Sequence, residues 1–425
     1  MNNCYRQAES CGGSRSGLVT GRGMTLLLVL ALAGCGGGGG GGGVDGDWET
    51  YDTTFDAVAT ADLNGDGAPD LIFSRTTDQF KITKCDPSDC NTKERSLYNV
   101  VILLQDALAP GVFLAQPAYA LAGKALSVVI ADIDGDGLID FCVTQRDDGS
   151  VGVFLQNPGL PGAFLTRVDV PAVDAPAGLS GGDLNGDAVA DLAVAGSGLA
   201  LLVNDPLSPG TVFTLQDLGI TDATAVANAD IDGDGRNDLA VTTGDTVIVL
   251  LQDHAPAAEG GFAERASYTT GSEASDVAIG DLNGDTLPDL AVANRGSPVG
   301  SVAVLLQNPG ATGTFLPAAN HDTDQNSVDV DIGDLNADLF PDLAVANDAK
   351  PGGVSVLLQD GLTAGAFLAA VDYPGQRGPN AVAIADMNGD GFTDLVVADK
   401  IHGWPYIRYQ DASNPGSFLE PVMVQ

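Results

Sequence analysis

Residues 62–70 read DLNGDGAPD, with three carboxylates, one amide and two glycines in nine positions between apolar runs. Negative charge at that density beside a core is unfavourable unless something positive neutralises it. The same pattern returns as DIDGDGLID from 132, DLNGDAVAD from 183, DIDGDGRND from 230, DLNGDTLPD from 281, DLNADLFPD from 334 and DMNGDGFTD from 386. Successive starts are 70, 51, 47, 51, 53 and 52 residues apart, so the repeat is close to 50 residues and its first copy carries an insertion of about 20.

Aligned on the first Asp, the seven copies agree well beyond the nonapeptide. Four residues earlier stands Val58, Val128, Leu179, Val226, Val277, Val330 or Val382, and immediately before it Ala61, Ala131, Gly182, Ala229, Gly280, Gly333 or Ala385. The last Asp is followed by Leu71, Phe141, Leu192, Leu239, Leu290, Leu343 or Leu395. Later in each unit a Phe follows a glycine by one to three residues: Phe113, Phe164, Phe213, Phe262, Phe315, Phe367, Phe418. Each unit reads as four short strands, shown in the fifth copy by DVAIG (A), LAVAN (B), SVAVLLQ (C) and TFLPA (D), with the acidic loop between A and B. Four-stranded antiparallel units at this period predict an all-β, seven-bladed β-propeller, and the small residue ending strand A suits an innermost strand where blades converge.

The loop chemistry points to calcium, which takes six to eight hard oxygen ligands in flexible geometry. Side chains at positions 1, 3, 5 and 9 and a backbone carbonyl at position 7 supply them. These are Asp62, Asn64, Asp66, Ala68 and Asp70; Asp132, Asp134, Asp136, Leu138 and Asp140; Asp183, Asn185, Asp187, Val189 and Asp191; and Asp230, Asp232, Asp234, Arg236 and Asp238. The last three loops offer Asp281, Asn283, Asp285, Leu287 and Asp289; Asp334, Asn336, Asp338, Phe340 and Asp342; and Asp386, Asn388, Asp390, Phe392 and Asp394. Magnesium demands stricter octahedral geometry, and zinc or iron would draw on His or Cys. The sixth loop departs from the others, with Ala337 and Leu339 where glycine usually stands, but keeps every side-chain ligand.

These residues resemble the FG-GAP or VCBS repeat proteins, a family that includes the head propeller of integrin alpha subunits. The resemblance spans about residues 48–425 and implies a propeller whose nonapeptide joins strands A and B and binds calcium.

The chain ends upstream in a leader. Residues 24–35, MTLLLVLALAGC, follow Arg6, Arg15 and Arg22 and form an apolar stretch too short to span a membrane comfortably. Leu32-Ala33-Gly34-Cys35 is similar to the lipobox of bacterial lipoproteins, which implies cleavage before Cys35 and lipidation of its thiol. The expected organisation is a signal peptide at 1–34, a lipidated Cys and glycine-rich tether at 35–46, and the propeller at 47–425. Export to a bacterial cell envelope, with a membrane partner through Cys35, follows from that reading. Cys142 lies in an apolar run and reads as buried; Cys85 and Cys90, flanking DPSD, form either a small disulfide loop or two free thiols.

The whole chain carries 57 acids against 18 bases, a net charge of −39, which becomes −41 once residues 1–34 are removed. That balance excludes nucleic acid as a partner. Seven calcium ions would contribute +14 and bring the mature chain to about −27.

In a propeller the A–B loops and C–D turns share one face, and the B–C and D–A connections share the other. The acidic face repeats nearly unchanged and reads as scaffold, so a protein or glycan ligand is expected on the opposite, variable face. There the insertion 74–99 brings Arg75, Lys81, Lys84, Lys93 and Arg95. Tyr119, Tyr268, His321, Tyr373, Arg377, His402 and Trp404 are expected on the same face as stacking or anchoring groups. A monomeric binding or adhesion module is favoured over a structural component of the envelope or a carbohydrate-active enzyme. The three histidines are scattered, and neither G-x-S-x-G nor HExxH occurs.

Overall fold

A computed structural model of the chain describes residues 15–21, 24–30, 49–85, 90–252, 261–296, 299–349, 352–375, 378–399 and 404–424. Cys35 and its glycine tether, Arg377 and His402 lie outside the described residues, as do the side chains of Cys85 and Cys90. No described helix is long and apolar enough to cross a membrane.

Seven antiparallel sheets carry the fold, each ordered A-B-C-D in sequence. The innermost strands are Glu49–Ala61, Val128–Ala131, Gly178–Gly182, Ala223–Ala229, Ala274–Gly280, Ser327–Gly333 and Pro379–Ala385. Every B strand begins at the last Asp of its nonapeptide: Asp70–Cys85, Asp140–Gln145, Asp191–Ala195, Asp238–Thr243, Asp289–Asn294, Asp342–Asn347 and Asp394–Asp399. The C strands follow as Cys90–Gln105, Ser150–Phe154, Gly198–Asn204, Thr246–Gln252, Ser301–Leu305, Gly353–Leu357 and Tyr406–Arg408.

Strand B is buried on both faces because each blade is sandwiched between two others. In blade five, Leu290 and Val292 point into the core shared with blade four, while Ala291 and Ala293 point into the core shared with blade six. Seven such inter-blade cores exist, one per seam. The repeated Phe serves them: Phe315 enters the core with blade four and Phe367 the core with blade five. Ring closure uses Phe55, Leu71, Phe73 and Leu103 of blade one against Ala383, Met387, Val396 and Ile407 of blade seven.

Blade seven supplies its own outer strand, Val422–Met423, paired to Tyr406–Ile407. The segment WETYDTTF therefore does not complete another blade; from Glu49 onward it extends the innermost strand of blade one. The insertion is likewise not an irregular connection. It prolongs strands B and C to 16 residues each, paired in one sheet. The described residues within 1–52 and 78–96 belong to a unit of their own, in which Arg95 donates to Gln79 Oε1 at 2.8 Å and Ser96 donates to Asp78 at 2.5 Å. In that unit Arg15–Gly21 and Met24–Leu30 also pair as an antiparallel hairpin.

Outer strands start at their Phe in blades one, three and four, and later than it in blades two, five, six and seven. In blade five Phe315 forms only a bridge to Gln307, and the strand proper is Ala319–Asp322. Pro317 has no N–H to donate between them.

Candidate functional site

Each nonapeptide closes on itself through backbone N–H groups. In the first loop Asp62 Oδ1 accepts from Gly65 at 2.8 Å and Asp66 at 3.1 Å, and its Oδ2 accepts from Gly67 at 2.8 Å. Asn64 Oδ1 accepts the Asp66 N–H and Asp66 Oδ1 accepts the Ala68 N–H, both at 2.9 Å. The seventh loop repeats this around Asp386, Asn388 and Asp390. The backbone thus folds the acidic side chains to one side of the wrap.

The last Asp has a different environment. Asp70, Asp191, Asp289, Asp342 and Asp394 are fully buried. In each loop Oδ2 accepts the N–H of position 2, from Leu63 at 2.8 Å to Leu184 at 3.1 Å. Oδ1 accepts an N–H at the end of strand C, as Asp289 does from Gln307 at 2.6 Å and Asp394 from Gln410 at 2.8 Å. Burial, opposed by these hydrogen bonds, pushes Asp70, Asp140, Asp238 and Asp289 up to about 6 and Asp191, Asp342 and Asp394 up to about 7. Neighbouring carboxylates of the same loop add to the rise.

In the second and fourth loops three carboxylates converge. One carboxylate oxygen each from Asp132, Asp134 and Asp136 lie within 4.8 Å of one another, and so do those of Asp230, Asp232 and Asp238. Burial and Asp136 together raise the Asp134 carboxyl. An oxygen-only donor set at this spacing, with charge that the loop itself does not neutralise, fits a hard divalent cation.

Turn conformation is common to the loops, but the residues that hold it differ. Positions 4 and 6 lie at positive φ in all seven, as with Gly65 at 76° and Gly67 at 87°. The sixth loop places Ala337 at 61° and Leu339 at 71°, where a side chain is strained.

The model of the FG-GAP-like repeat matches residues 132–194, 230–292, 281–345 and 334–397, together more than half of the chain. The chain belongs to the FG-GAP-like repeat family. Each matched segment of this FG-GAP-like propeller joins two acidic loops, and the second to seventh loops are all included. No curated protein matches it by sequence. Among solved structures it is similar to an Agrocybe aegerita lectin that recognises non-reducing terminal N-acetylglucosamine, at 18% identity and a TM-score of 0.47, covering 76% of this chain and 87% of that one. It is also similar to a putative 6-phosphogluconolactonase from Bacteroides uniformis, at 15% identity and a TM-score of 0.48, covering 75% and 86%.

The aromatic groups expected to meet a ligand are mostly engaged inside the FG-GAP-like ring. Tyr119 stands edge-on to Phe164 of the following blade, and its hydroxyl accepts the Phe164 N–H at 2.9 Å. Tyr268 does the same for Phe315 at 3.0 Å, Tyr373 packs on Phe418, and His321 packs on Phe367. The outer strand turns these rings toward the next blade, where they cover the repeated Phe. Trp404, in contrast, is half-exposed.

The most exposed apolar side chains sit instead on the acidic face. Leu108, Leu207 and Leu362, at the tips of C–D turns, are 96%, 89% and 95% exposed, and Leu339 of the sixth loop is 91% exposed. Sequence reading also passed over the amide that ends strand C in every blade, Gln105, Gln156, Asn204, Gln252, Gln307, Gln359 or Gln410. Its seven-fold recurrence was the available signal.

Proposed function

We propose that this propeller is a calcium-stabilised binding module of the bacterial cell envelope, lipid-anchored through Cys35, that captures a protein or glycan. Calcium is held by Asp62, Asn64, Asp66, Asp70 and the Ala68 carbonyl in the first loop, and by the equivalent residues in the other six. Convergence of oxygen donors and the raised carboxyls of the buried Asp residues support that assignment.

The observation that carries a binding role is the set of leucine tips. Leu108, Leu207, Leu339 and Leu362 project almost fully exposed from turns on one face, and loops carried on a packed scaffold are where binding commonly lies. A second reading puts the ligand on the opposite face, favoured by the half-exposed Trp404.

Glycan and matrix-protein arrays probed with the calcium-loaded chain test the proposal. Capture that is lost with Leu108→Ser/Leu207→Ser/Leu362→Ser supports the leucine face, and capture lost with Trp404→Ala supports the other. Absence of any capture contradicts a binding role and favours an assembly role in the envelope.

A further inference from the structure

The amide ending strand C does more than close its own blade. Gln307 Nε2 donates to the Ile231 carbonyl of blade four at 2.9 Å, while the Gln307 backbone N–H donates to Asp289 Oδ1 of blade five at 2.6 Å. The Ile231 N–H in turn donates to Asp238 Oδ2 at 2.9 Å. Three hydrogen bonds through one buried glutamine therefore connect the carboxylate that closes the fourth loop with the one that closes the fifth.

The relay recurs at other seams. Gln156 reaches the Leu63 carbonyl at 3.0 Å, Asn204 the Ile133 carbonyl at 2.9 Å, Gln359 the Leu282 carbonyl at 2.7 Å and Gln410 the Leu335 carbonyl at 2.8 Å. Between blades three and four the link takes another form. Gln252 is buried with its side-chain amide unpartnered, and Asn237 of the fourth loop donates to the Asp183 carbonyl of the third at 3.2 Å. Among the described residues the seam between blades seven and one has neither connection. Gln105 Nε2 stays on its own blade with Pro69 O at 2.7 Å, and contact with the seventh loop is apolar, through Met387 and through Pro110 against Gly389.

We infer that Gln156, Asn204, Gln307, Gln359 and Gln410 are positioning residues that couple neighbouring cation loops, so that sites one to seven form a line of linked sites broken between blades seven and one. The inference rests on the calcium reading above. Asp238 holds the Ile231 peptide and Gln307 ties that peptide to Asp289, so a change at Asp238 when a cation binds would bear on the fifth loop, and the two loops would order together. Across the closing seam Asn380 Nδ2 donates to the Asp56 carbonyl at 2.7 Å between innermost strands, away from the acidic loops; among the described residues the loops themselves meet there only through apolar contact, which transmits no such preference.

Hydrogen exchange read loop by loop across a calcium titration of the full chain tests this. Asp234→Asn, which weakens the fourth loop, should raise the calcium concentration that protects residues 281–289 by about 5-fold or more. With Gln307→Ala present the same change should fall within about twofold, and Gln307→Asn should restore part of it. Asp390→Asn in the seventh loop should leave protection of residues 62–70 unmoved. If Gln307→Ala does not fold, Gln359→Ala tests the equivalent link between the fifth and sixth loops. An unmoved fifth loop, a shift that persists without Gln307, or a first loop that follows the seventh overturns the inference. If calcium protects no loop in the unmodified chain, the calcium reading fails and the coupling falls with it.

Discussion

Asp394 accepts the Gln410 N–H through Oδ1 at 2.8 Å and the Met387 N–H through Oδ2 at 2.9 Å, so one buried carboxylate joins strand C to the acidic loop of blade seven. Removing it leaves two buried donors unpaired, at about 1–3 kcal/mol each. Asp394→Ala should therefore destabilise the chain by at least about 2 kcal/mol in chelator, and by more in calcium, where a ligand is lost as well. Asp390→Ala, on the exposed side of the same loop, should weaken it in calcium only. Urea melts of both variants under both conditions check this, and equal behaviour of the two would contradict the division of roles.

The sixth loop holds Ala337 and Leu339 at positive φ, a conformation in which glycine carries no side-chain penalty. Ala337→Gly and Leu339→Gly should each be neutral to stabilising, by up to about 1 kcal/mol, whereas the same exchange at a site of negative φ destabilises. Thermal melts measured with and without calcium report whether the relief survives cation binding.

Much of the ring was legible from periodicity, because Val58, Leu71 and their equivalents mark strands A and B wherever they occur. The seven acidic loops were legible for the same reason. The inter-blade amides were not, since Gln307 finds its carbonyl 76 residues away and only ring geometry brings them together. Tyr119 and Tyr268 were misplaced on a ligand face because a sequence shows their position along a strand without the neighbour that the strand faces. The 74–99 segment looked like a loop because its charged residues mark no apolar face, although strands B and C run on through most of it.

Tyr119 and Tyr268 each satisfy an N–H that starts the outer part of the next blade. Tyr119→Phe and Tyr268→Phe keep the ring contact and remove the acceptor, so each should cost about 1–2 kcal/mol. A double variant should be additive, as the two seams lie far apart. Chemical denaturation gives both numbers, and a loss near zero would mean that the hydroxyls are dispensable.

A group of acids on the innermost strands responds to pH. Asp276 Oδ2 accepts the Val330 N–H of the next blade, Asp329 Oδ2 that of Val382 and Asp331 Oδ2 that of Ile384. Burial raises all three carboxyls, Asp331 to about 6, and Asp276 lifts Asp329 further. An acid raised in the folded state binds protons more tightly there, so its stabilising contribution is complete below the unfolded value near 3.9 and declines as pH climbs through about 6. Asp329→Asn retains an oxygen for Val382 and offers an N–H to Asp276. That variant should match or exceed the parent in stability at pH 8 and gain less than the parent on acidification. Melting temperatures at pH 5 and 8 in saturating calcium decide it; a penalty independent of pH would contradict the account.

Calcium as the internal counter-charge of seven acidic loops is the central claim, and the melting temperature of the purified chain in excess calcium and in excess chelator tests it most directly. Cation binding to the folded state alone stabilises by linkage, and seven sites acting together should separate the two melts by at least about 10 °C. Coincident melts would contradict the claim.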